Sequence, residues 1–238
     1  MERPHRYRRA LLKISGEALA GERGFGLDEK AVSRIAGQIA QAFRQGHEVA
    51  IVVGGGNIVR GADAASIGVP SLVGDQMGMV ATVLNAMALR AALEREGIRS
   101  RVMSAFPVGR FVDTFDMEGA RSAISSGTIV VFAGGTGNPC FTTDSAAALR
   151  AVEIEADVMI KATQVSGVYD KDPRAHPDAV FFESISAQDV LARRLGVIDA
   201  ASVDILSRKN IPLLVIDLHA EGNMARALRG EKVGTLVR

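Results

Sequence analysis

Apolar residues along the chain follow two alternating patterns. Short runs rich in Val and Ile, of the length of strands, are separated by stretches in which apolar residues recur at helical spacing. The short runs predict strands at residues 10–14, 48–53, 98–103, 128–133, 157–161 and 212–217. The stretches between them predict amphipathic helices.

The first helical stretch shows both of its ends in the sequence. Asp28 is a favourable N-cap residue, apolar residues follow at helical spacing as far as Phe43, and Gly46 supplies a C-terminal stop. Similar patterns predict helices near residues 77–96, 117–126, 144–155 and 199–210. Alternating strands and helices favour an α/β fold, a three-layer αβα sandwich with a mostly parallel central sheet. We expect residues 1–238 to form a single domain.

Two stretches show neither pattern: residues 57–74, and residues 165–184, which are rich in turn-forming residues. Loops of this length in a compact domain are usually binding loops or lids. We therefore expect both stretches to border a functional site.

Charge and composition narrow the range of partners. The 28 Lys and Arg residues nearly balance 27 Asp and Glu, so no broad basic face for nucleic acid is expected. Arg3, Arg6, Arg8 and Arg9 lie near the N-terminus, where a frayed basic end is commoner than a nucleic-acid-binding arm. The one cysteine, Cys140, excludes an intrachain disulfide, and neither a signal peptide nor an apolar run of about 20 residues is evident. We expect a cytoplasmic protein with small-molecule partners, without nucleic acid or membrane.

Glycines are concentrated where three predicted strands end. The first strand runs into Lys13-Ile14-Ser15-Gly16, the second into Gly54-Gly55-Gly56-Asn57, and the fourth into Gly134-Gly135-Thr136-Gly137-Asn138. Carboxyl ends of parallel strands meet at one edge of a sheet, and backbone N–H groups of glycine-bearing loops bind phosphate. Together the loops favour a phosphate-rich ligand. The simpler alternative is that each glycine only makes a tight strand-to-helix turn.

Several motifs of other enzyme classes are absent from the sequence. It lacks the G-x-x-x-x-G-K-[ST] and G-x-G-x-x-G patterns of P-loop NTPases and dinucleotide-binding dehydrogenases. It also lacks H-E-x-x-H, C-x-x-C and G-x-S-x-G, so zinc hydrolysis and serine-nucleophile chemistry have no support.

Three charged residues stand at the ends of predicted elements. Lys13 lies in an apolar strand, where its ammonium group needs a partner at the strand's end. A triphosphate would be a suitable partner, and emergence at a sheet edge is the alternative. Asp144 and Asp199 each begin a predicted helix, so each is a candidate N-cap as well as a candidate magnesium-organising carboxylate.

Along nearly its whole length the chain resembles the bacterial UMP kinases of the amino acid kinase superfamily. The matching blocks are Leu12-Lys13-Ile14-Ser15-Gly16-Glu17-Ala18-Leu19, Gly54-Gly55-Gly56-Asn57 with Arg60-Gly61, Gly74-Asp75-Gln76-Met77-Gly78-Met79, Gly135-Thr136-Gly137-Asn138-Pro139 with Thr142-Thr143-Asp144-Ser145-Ala146, Ile154-Glu155-Ala156-Asp157, Lys161-Ala162-Thr163, and Gly167-Val168-Tyr169 with Asp172-Pro173. The resemblance implies the amino acid kinase fold and transfer of the γ-phosphate of ATP to UMP, which gives UDP and ADP in pyrimidine nucleotide biosynthesis.

The resemblance also implies roles for individual residues. Those that would hold the ATP phosphates are Lys13, Ser15, Gly16, Gly56 and Arg60, with Thr163, Tyr169 and Asp172 at the adenine and ribose. Those that would bind UMP are Gly55, Asp75, Thr136, Gly137, Asn138, Thr142 and Thr143. Asp144 and Asp199 match the aspartates that organise the catalytic Lys13 and Mg²⁺, with the metal held through phosphates and water and not directly by the protein.

Regulation and assembly are likewise implied only by the resemblance. The residues Gly21, Glu22, Arg23, Gly24, Phe25 and Gly26 match a segment linked in some members to activation by GTP, with a plain glycine-rich loop as the alternative. Inhibition by UTP and a homohexamer are the further expectations.

The chain departs from the family pattern at three positions. Gln164 and Ser166 replace a lysine and an aspartate beside the nucleotide, which we expect to affect ATP affinity or nucleotide selectivity but not the reaction class. Cys140 replaces an often aromatic residue and is interpreted as a small packing residue.

Two alternative functions remain open from the sequence. One is a same-fold kinase that phosphorylates a carboxylate, such as an amino acid kinase, although such a substrate needs no ribose-binding carboxylate at Asp75. The other is a non-catalytic nucleotide-binding storage or regulatory protein, which the retained Lys13, Asp144 and Asp199 argue against.

Overall fold

A computed structural model describes residues 7–60 and 66–238. Its strands are β1 (Arg9–Ile14), β2 (Glu48–Val53), β3 (Ser100–Ser104), β4 (Asp113–Thr114), β5 (Ile129–Ala133), β6 (Val158–Thr163), β7 (Val168–Tyr169), β8 (Phe181–Phe182), β9 (Ser184–Ile185), β10 (Leu213–Asp217) and β11 (Thr235–Val237). Nine of these form one sheet in the order β4-β3-β5-β2-β1-β6-β10-β11-β9. Neighbouring strands are parallel except β10 and β11, while β7 and β8 pair separately as an antiparallel hairpin.

Helices cover both faces of this sheet. They are α1 (Gly16–Ala20), α2 (Glu29–Arg44), α3 (Ser71–Arg95), α4 (Met117–Ser125), α5 (Thr143–Glu153), α6 (Ala187–Ala192), α7 (Ala200–Arg208) and α8 (Asn223–Leu228). Residues of α2, α3 and α8 share one apolar cluster with the strands, and residues of α4 to α7 share the other. The fold is therefore the predicted three-layer α/β sandwich with a mostly parallel sheet.

Adjacent residues of the central strand β1 show why the apolar runs are continuous. Leu11 and Leu12 are both fully buried, but they belong to the clusters on opposite faces of the sheet. Successive side chains of a strand point to opposite faces, so a strand covered by helices on both faces can be apolar at consecutive positions. Truncating either leucine to alanine is expected to cost about 2–5 kcal/mol of the free energy of unfolding.

The predicted boundaries agree with the structure except at α3. Asp28 caps α2 by accepting a hydrogen bond from the Ala31 N–H, and Gly46 follows the helix with φ of 93°. The prediction that α3 begins near residue 77 is wrong, since the helix begins at Ser71, directly after Pro70. Its first turns expose Leu72 and Val73. The usual core-facing apolar stripe is therefore missing where the helix starts.

The two stretches predicted to be loops contain regular structure in part. Residues 71–74 belong to α3, and the β7–β8 hairpin lies within residues 165–184. Gly61 lies outside the described residues, as do Arg3 and Arg6 of the basic N-terminus. Arg8 and Arg9 both form ion pairs with Glu48. These two arginines of the N-terminal group therefore help to hold β1 beside β2.

Helix α3 is also long and apolar enough to cross a membrane when judged by length and composition alone, and no other helix in the described ranges passes that test. Core helices of soluble proteins pass the same test. Here α3 packs against α2, β3 and β5. The length and apolar composition of α3 are therefore weak evidence for a membrane span.

Candidate active site

Two cavities open at the carboxyl edge of the sheet and share one wall. The larger has a volume of about 930 Å³ and the smaller about 440 Å³. Lys13, Ser15, Glu17 and Arg60 line both. Ligands in the two cavities would therefore both border these four side chains.

The shared wall depends on close packing of the first two glycine-bearing loops. Ser15 caps α1 by accepting from the Ala18 N–H. A Cβ atom on Gly16 would come within 2.9 Å of the Gly56 N, and one on Gly54 would come within 2.9 Å of the Gly16 N. Backbone meets backbone here, so side chains larger than hydrogen are excluded at both positions. The glycines of these loops that line the smaller cavity are Gly16, Gly54, Gly55 and Gly56.

One carboxylate joins two lysines behind this wall. The Nζ of Lys13 lies 2.9 Å from Oδ1 of Asp144, and the Nζ of Lys161 lies 2.5 Å from Oδ2 of the same residue. All three side chains are nearly buried, with exposed fractions of 10–14%. Burial lowers the pKa of Lys161 below the usual lysine range, and the nearby Asp144 carboxylate offsets this only in part. Lys13 thus lines both cavities and Lys161 lines the larger one, and the two lysines share the single Asp144 carboxylate.

Asp199 occupies a different environment from Asp144. It caps α7 by accepting from the Ser202 N–H, and it also accepts hydrogen bonds from the hydroxyls of Thr142, Ser145 and Ser202. Burial alone would raise the pKa of Asp199, but the hydroxyl hydrogen bonds outweigh it and lower this pKa below its usual range. Asp199 therefore acts as the predicted N-cap. Asp144 does not, because α5 is capped by Thr142, which Asp199 orients, and Asp144 lies within the helix.

The smaller cavity is bordered by α3 and by the β5–α5 loop, residues 134–142. Asn138, Thr142 and Thr143 line this cavity together with Asp75. One carboxylate oxygen of Asp75 accepts a hydrogen bond from the Cys140 N–H at 2.8 Å, so the aspartate contacts the loop directly.

Two predicted residues of this loop hold its shape and do not line the cavity. The Thr136 hydroxyl contacts the Asn138 backbone, and Gly137 has φ of 83° and lies against Ala105.

The larger cavity is bordered by the carboxyl end of β6 and by the β7–β8 hairpin region. Thr163, Tyr169 and Asp172, which the resemblance assigns to the adenine and ribose, all line this cavity. Tyr169 packs edge-to-face on Phe181 with ring centroids 5.3 Å apart. Gln164 accepts a hydrogen bond from Arg174 at 2.9 Å, and both also line the cavity. The neutral Gln164 thus connects β6 to the segment after Asp172.

Two other predicted groups lie around the mouth of the larger cavity. Arg60 is half exposed and lies 3.4 Å from Glu17, so its guanidinium can exchange this weak contact for a ligand. Gly21 and Gly24 line the cavity's rim, and Phe25 is exposed. The segment matched to GTP activation therefore begins beside the larger cavity.

The arrangement is compatible with magnesium that arrives together with phosphates. Within residues 7–60 and 66–238, no cluster of three or more His, Cys, Asp or Glu side chains is placed to hold a metal. Among the same residues, the buried Oδ1 of Asp144 has no well-aligned hydrogen-bond partner. Magnesium often keeps several waters and binds through one or two carboxylates plus substrate phosphates. Both oxygens of Asp144 already contact a lysine, so this carboxylate would contribute through metal-bound water and not as a direct ligand.

Comparison with known proteins is consistent with this geometry. Residues 8–217 match the model of the amino acid kinase family. The chain belongs to the amino acid kinase family.

Relatives within the amino acid kinase family are similar along the full chain. A uridylate kinase of Alcanivorax borkumensis is 49% identical over 99% of this chain and 94% of its own length. The solved structure of a UMP kinase from Bacillus anthracis is 34% identical, with a TM-score of 0.95 over 99% of this chain and 97% of its own. A UMP kinase from Ureaplasma parvum gives a TM-score of 0.90 at 35% identity, over 98% of this chain and 99% of its own.

Lys161 is a charged residue of this amino acid kinase site that was missing from the sequence-based candidates. Lys161 lies in the interior strand β6, next to β1, in register with Lys13. A lysine in an apolar strand was the signal that selected Lys13, and the same signal is present at Lys161. The pairing of β1 with β6, which brings the two lysines side by side, is visible only in the structure.

Proposed function

We propose that this chain is a UMP kinase, which transfers the γ-phosphate of ATP to UMP and releases UDP and ADP. The observation that carries the proposal is the position of Lys13, which lies in the wall shared by two cavities of unequal size. Uridylate and UMP kinase relatives that match nearly the whole chain support the same reaction.

ATP is assigned to the larger cavity. Ser15 and Arg60 in the shared wall, with Gly16 and Gly56 beside it, would bind the phosphates, since backbone N–H groups and a bidentate guanidinium suit phosphate oxygens. Tyr169 would contact the adenine through its ring, with Thr163 and Asp172 near the ribose. Thr163 and Asp172 are close in sequence to Gln164 and Arg174, which are joined by a hydrogen bond. This hydrogen bond would affect nucleotide selectivity.

UMP is assigned to the smaller cavity. Asp75 would accept from ribose hydroxyls, because its carboxylate keeps further lone pairs beside the one used by Cys140. Asn138, Thr142 and Thr143 would contact the nucleotide from the β5–α5 loop, and Gly55 would allow its close approach. Thr136 and Gly137 act by holding the loop's shape.

The proposed phosphoryl transfer depends on cations near the transferred group and not on a general base. The second pKa of a phosphate monoester is about 6, so the attacking oxygen of the acceptor is mostly deprotonated at pH 7. Lys13 and Lys161 would neutralise charge on the transferred phosphoryl group, and Mg²⁺ bound with ATP would supply further positive charge. Asp144 is held by both ammonium groups. It positions them and does not remove a proton.

The exposed surface of α3 supports a proposed homo-oligomer. Val73, Met77, Val80, Leu84 and Met87 are exposed and recur at intervals of three and four residues along the helix. Such a stripe suits packing against the same helix of a second copy, which would form the dimeric unit of a homohexamer. The mass of the assembled protein, measured by light scattering, tests this.

The proposal extends to the cellular setting and to regulation. The chain would act as a single domain in the cytoplasm, in pyrimidine nucleotide biosynthesis. UTP would inhibit it and GTP would activate it, the latter through residues 21–26 at the rim of the larger cavity.

A coupled assay of ADP formation tests the reaction. The protein is given ATP and Mg²⁺ with UMP, CMP or a panel of amino acids, and UDP is identified directly. Turnover with UMP well above that with the other acceptors is expected. Turnover with an amino acid and not with UMP would identify a carboxylate kinase, and binding without turnover would indicate a storage or regulatory protein.

A further inference from the structure

Helix α3 holds the β5–α5 loop at both ends. Near the loop's end, Asp75 accepts a hydrogen bond from the Cys140 N–H. At its start, the hydroxyl oxygen of Thr82 accepts from the Gly134 N–H at 2.7 Å. Residues 75 and 82 are separated by about two helical turns, so both side chains lie on the same face of α3.

The Thr82 contact is buried and complete. Thr82 is 2% exposed, and its hydroxyl donates to the Met79 carbonyl while it accepts from Gly134. The only hydrogen of the hydroxyl is donated to Met79, so although Thr82 also lines the smaller cavity, it cannot donate to a ligand without giving up this contact. The Asp75 contact with Cys140 is exposed, and the carboxylate can also bind other donors.

The backbone at Gly134 is closely packed by its neighbours. Gly134 has φ of 79°, and a Cβ atom there would lie within 3.0 Å of Phe106, Ser104 and the Ala105 N. These three residues thus limit the space around the start of the loop, and the hydrogen bond from the Gly134 N–H to Thr82 fixes it. Gly135 follows directly and lines the smaller cavity.

We propose that Thr82 is a positioning residue of the smaller cavity, where its hydroxyl fixes the start of the β5–α5 loop and so places the loop against the acceptor. The acceptor's identity as UMP rests on the proposed function. The anchoring of Gly134 by Thr82 does not.

Kinetics of Thr82→Val and Thr82→Ser test the role. Valine keeps the shape of threonine but leaves the buried Gly134 N–H without an acceptor, whereas serine keeps the hydroxyl. Thr82→Val is expected to raise the KM for UMP about 10-fold with the KM for ATP changed less than about two-fold, because only the smaller cavity includes this loop. Thr82→Ser is expected to remain within about two-fold of wild type for both.

Thr128→Val is a matched control. Thr128 is also a buried threonine, and it precedes β5 at the strand's other end, whereas Gly134 follows β5. This control is expected to leave the KM for UMP unchanged. Equal increases in both KM values for Thr82→Val, an unchanged KM for UMP, or failure of Thr82→Ser to restore it would each overturn the proposal.

Amide hydrogen exchange of the nucleotide-free protein separates this proposal from the proposed function. Thr82→Val is expected to speed exchange at Gly134 relative to wild type and to Thr128→Val. If Thr82→Val does not fold, Thr82→Ala, which removes both the hydroxyl and the methyl group of threonine, replaces it in both experiments. Unchanged exchange at Gly134 would overturn the anchoring, whereas absence of UDP formation by the wild type with faster exchange in the variant would overturn only the proposed function.

Discussion

Lys13 and Lys161 lie in register on the neighbouring strands β1 and β6 and contact opposite oxygens of the Asp144 carboxylate. The carboxylate holds two ammonium groups of like charge near one another in a nearly buried site. A phosphate-rich ligand that contacts these groups would gain from both cations without having to bring them together.

Removal of the Lys13 ammonium group should affect turnover more than folding. Lys13→Ala is expected to lower kcat by about 10²-fold or more, because a cation aimed at charge on the transferring group acts mainly in the transition state. The exposed Lys30→Ala on α2 is the control and should remain close to wild type. Retention of more than about half of the wild-type rate by folded Lys13→Ala would contradict the role of this lysine.

Loss of the charge on Lys161 should lower kcat at alkaline pH. Burial lowers the pKa of Lys161, so its charge is lost at a lower pH than that of an ordinary lysine. The charged groups that act on it are Asp144, Lys13 and Asp199. We expect kcat to fall as pH rises through this lowered pKa. Lys161→Arg should move the fall to higher pH because guanidinium stays charged.

The matched Lys161→Met variant should have a lower kcat without that alkaline fall. The kcat of both variants is measured from pH 6 to the highest pH at which the wild type remains folded. Circular dichroism at each pH checks that the protein is folded. A fall that persists unchanged in Lys161→Arg would assign the titration to another group.

Asp75→Asn should separate the two substrates. Only the smaller cavity includes this carboxylate, so the KM for UMP is expected to rise while the KM for ATP changes less. Initial rates over a grid of both substrate concentrations measure both constants. A change in the KM for ATP alone would require the two substrate assignments to be exchanged.

The pH dependence at low pH should follow the acceptor and not an aspartate. The value of kcat/KM for UMP is expected to fall below about pH 6, as the phosphate of UMP gains a proton. A phosphonate analogue with a higher second pKa should shift that fall upward by a similar amount. Asp144→Asn should lower the plateau without shifting the fall.

The opposite result would identify a general base. In that result, the fall in kcat/KM at low pH does not shift with the acceptor's pKa and is absent in Asp144→Asn or Asp199→Asn. The aspartate then removes a proton and the proposed chemistry is wrong. The hydrogen bonds that already lower the pKa of Asp199 make it a weak base.

The sequence alone determined most of the framework. Apolar runs predicted six strands within a few residues of their observed positions, and Asp28 with Gly46 predicted both ends of α2. These features are local, since burial of a strand on both faces and the capping of a helix are encoded by neighbouring residues. The first turns of α3 were missed because Leu72 and Val73 there are exposed.

Only the tertiary structure decided how residues distant in the sequence meet. The sheet order places β6 beside β1, which brings Lys161 to Lys13, and the packing of α3 on β5 brings Thr82 to Gly134. Neither Lys161 nor Thr82 has a local pattern that identifies its partner, because the partner is specified by strand order and helix packing. The sequence therefore determined the layers, the glycine-bearing edge and the lysine of β1, whereas the second cation and the anchors of the β5–α5 loop depend on contacts that exist only once the chain is folded.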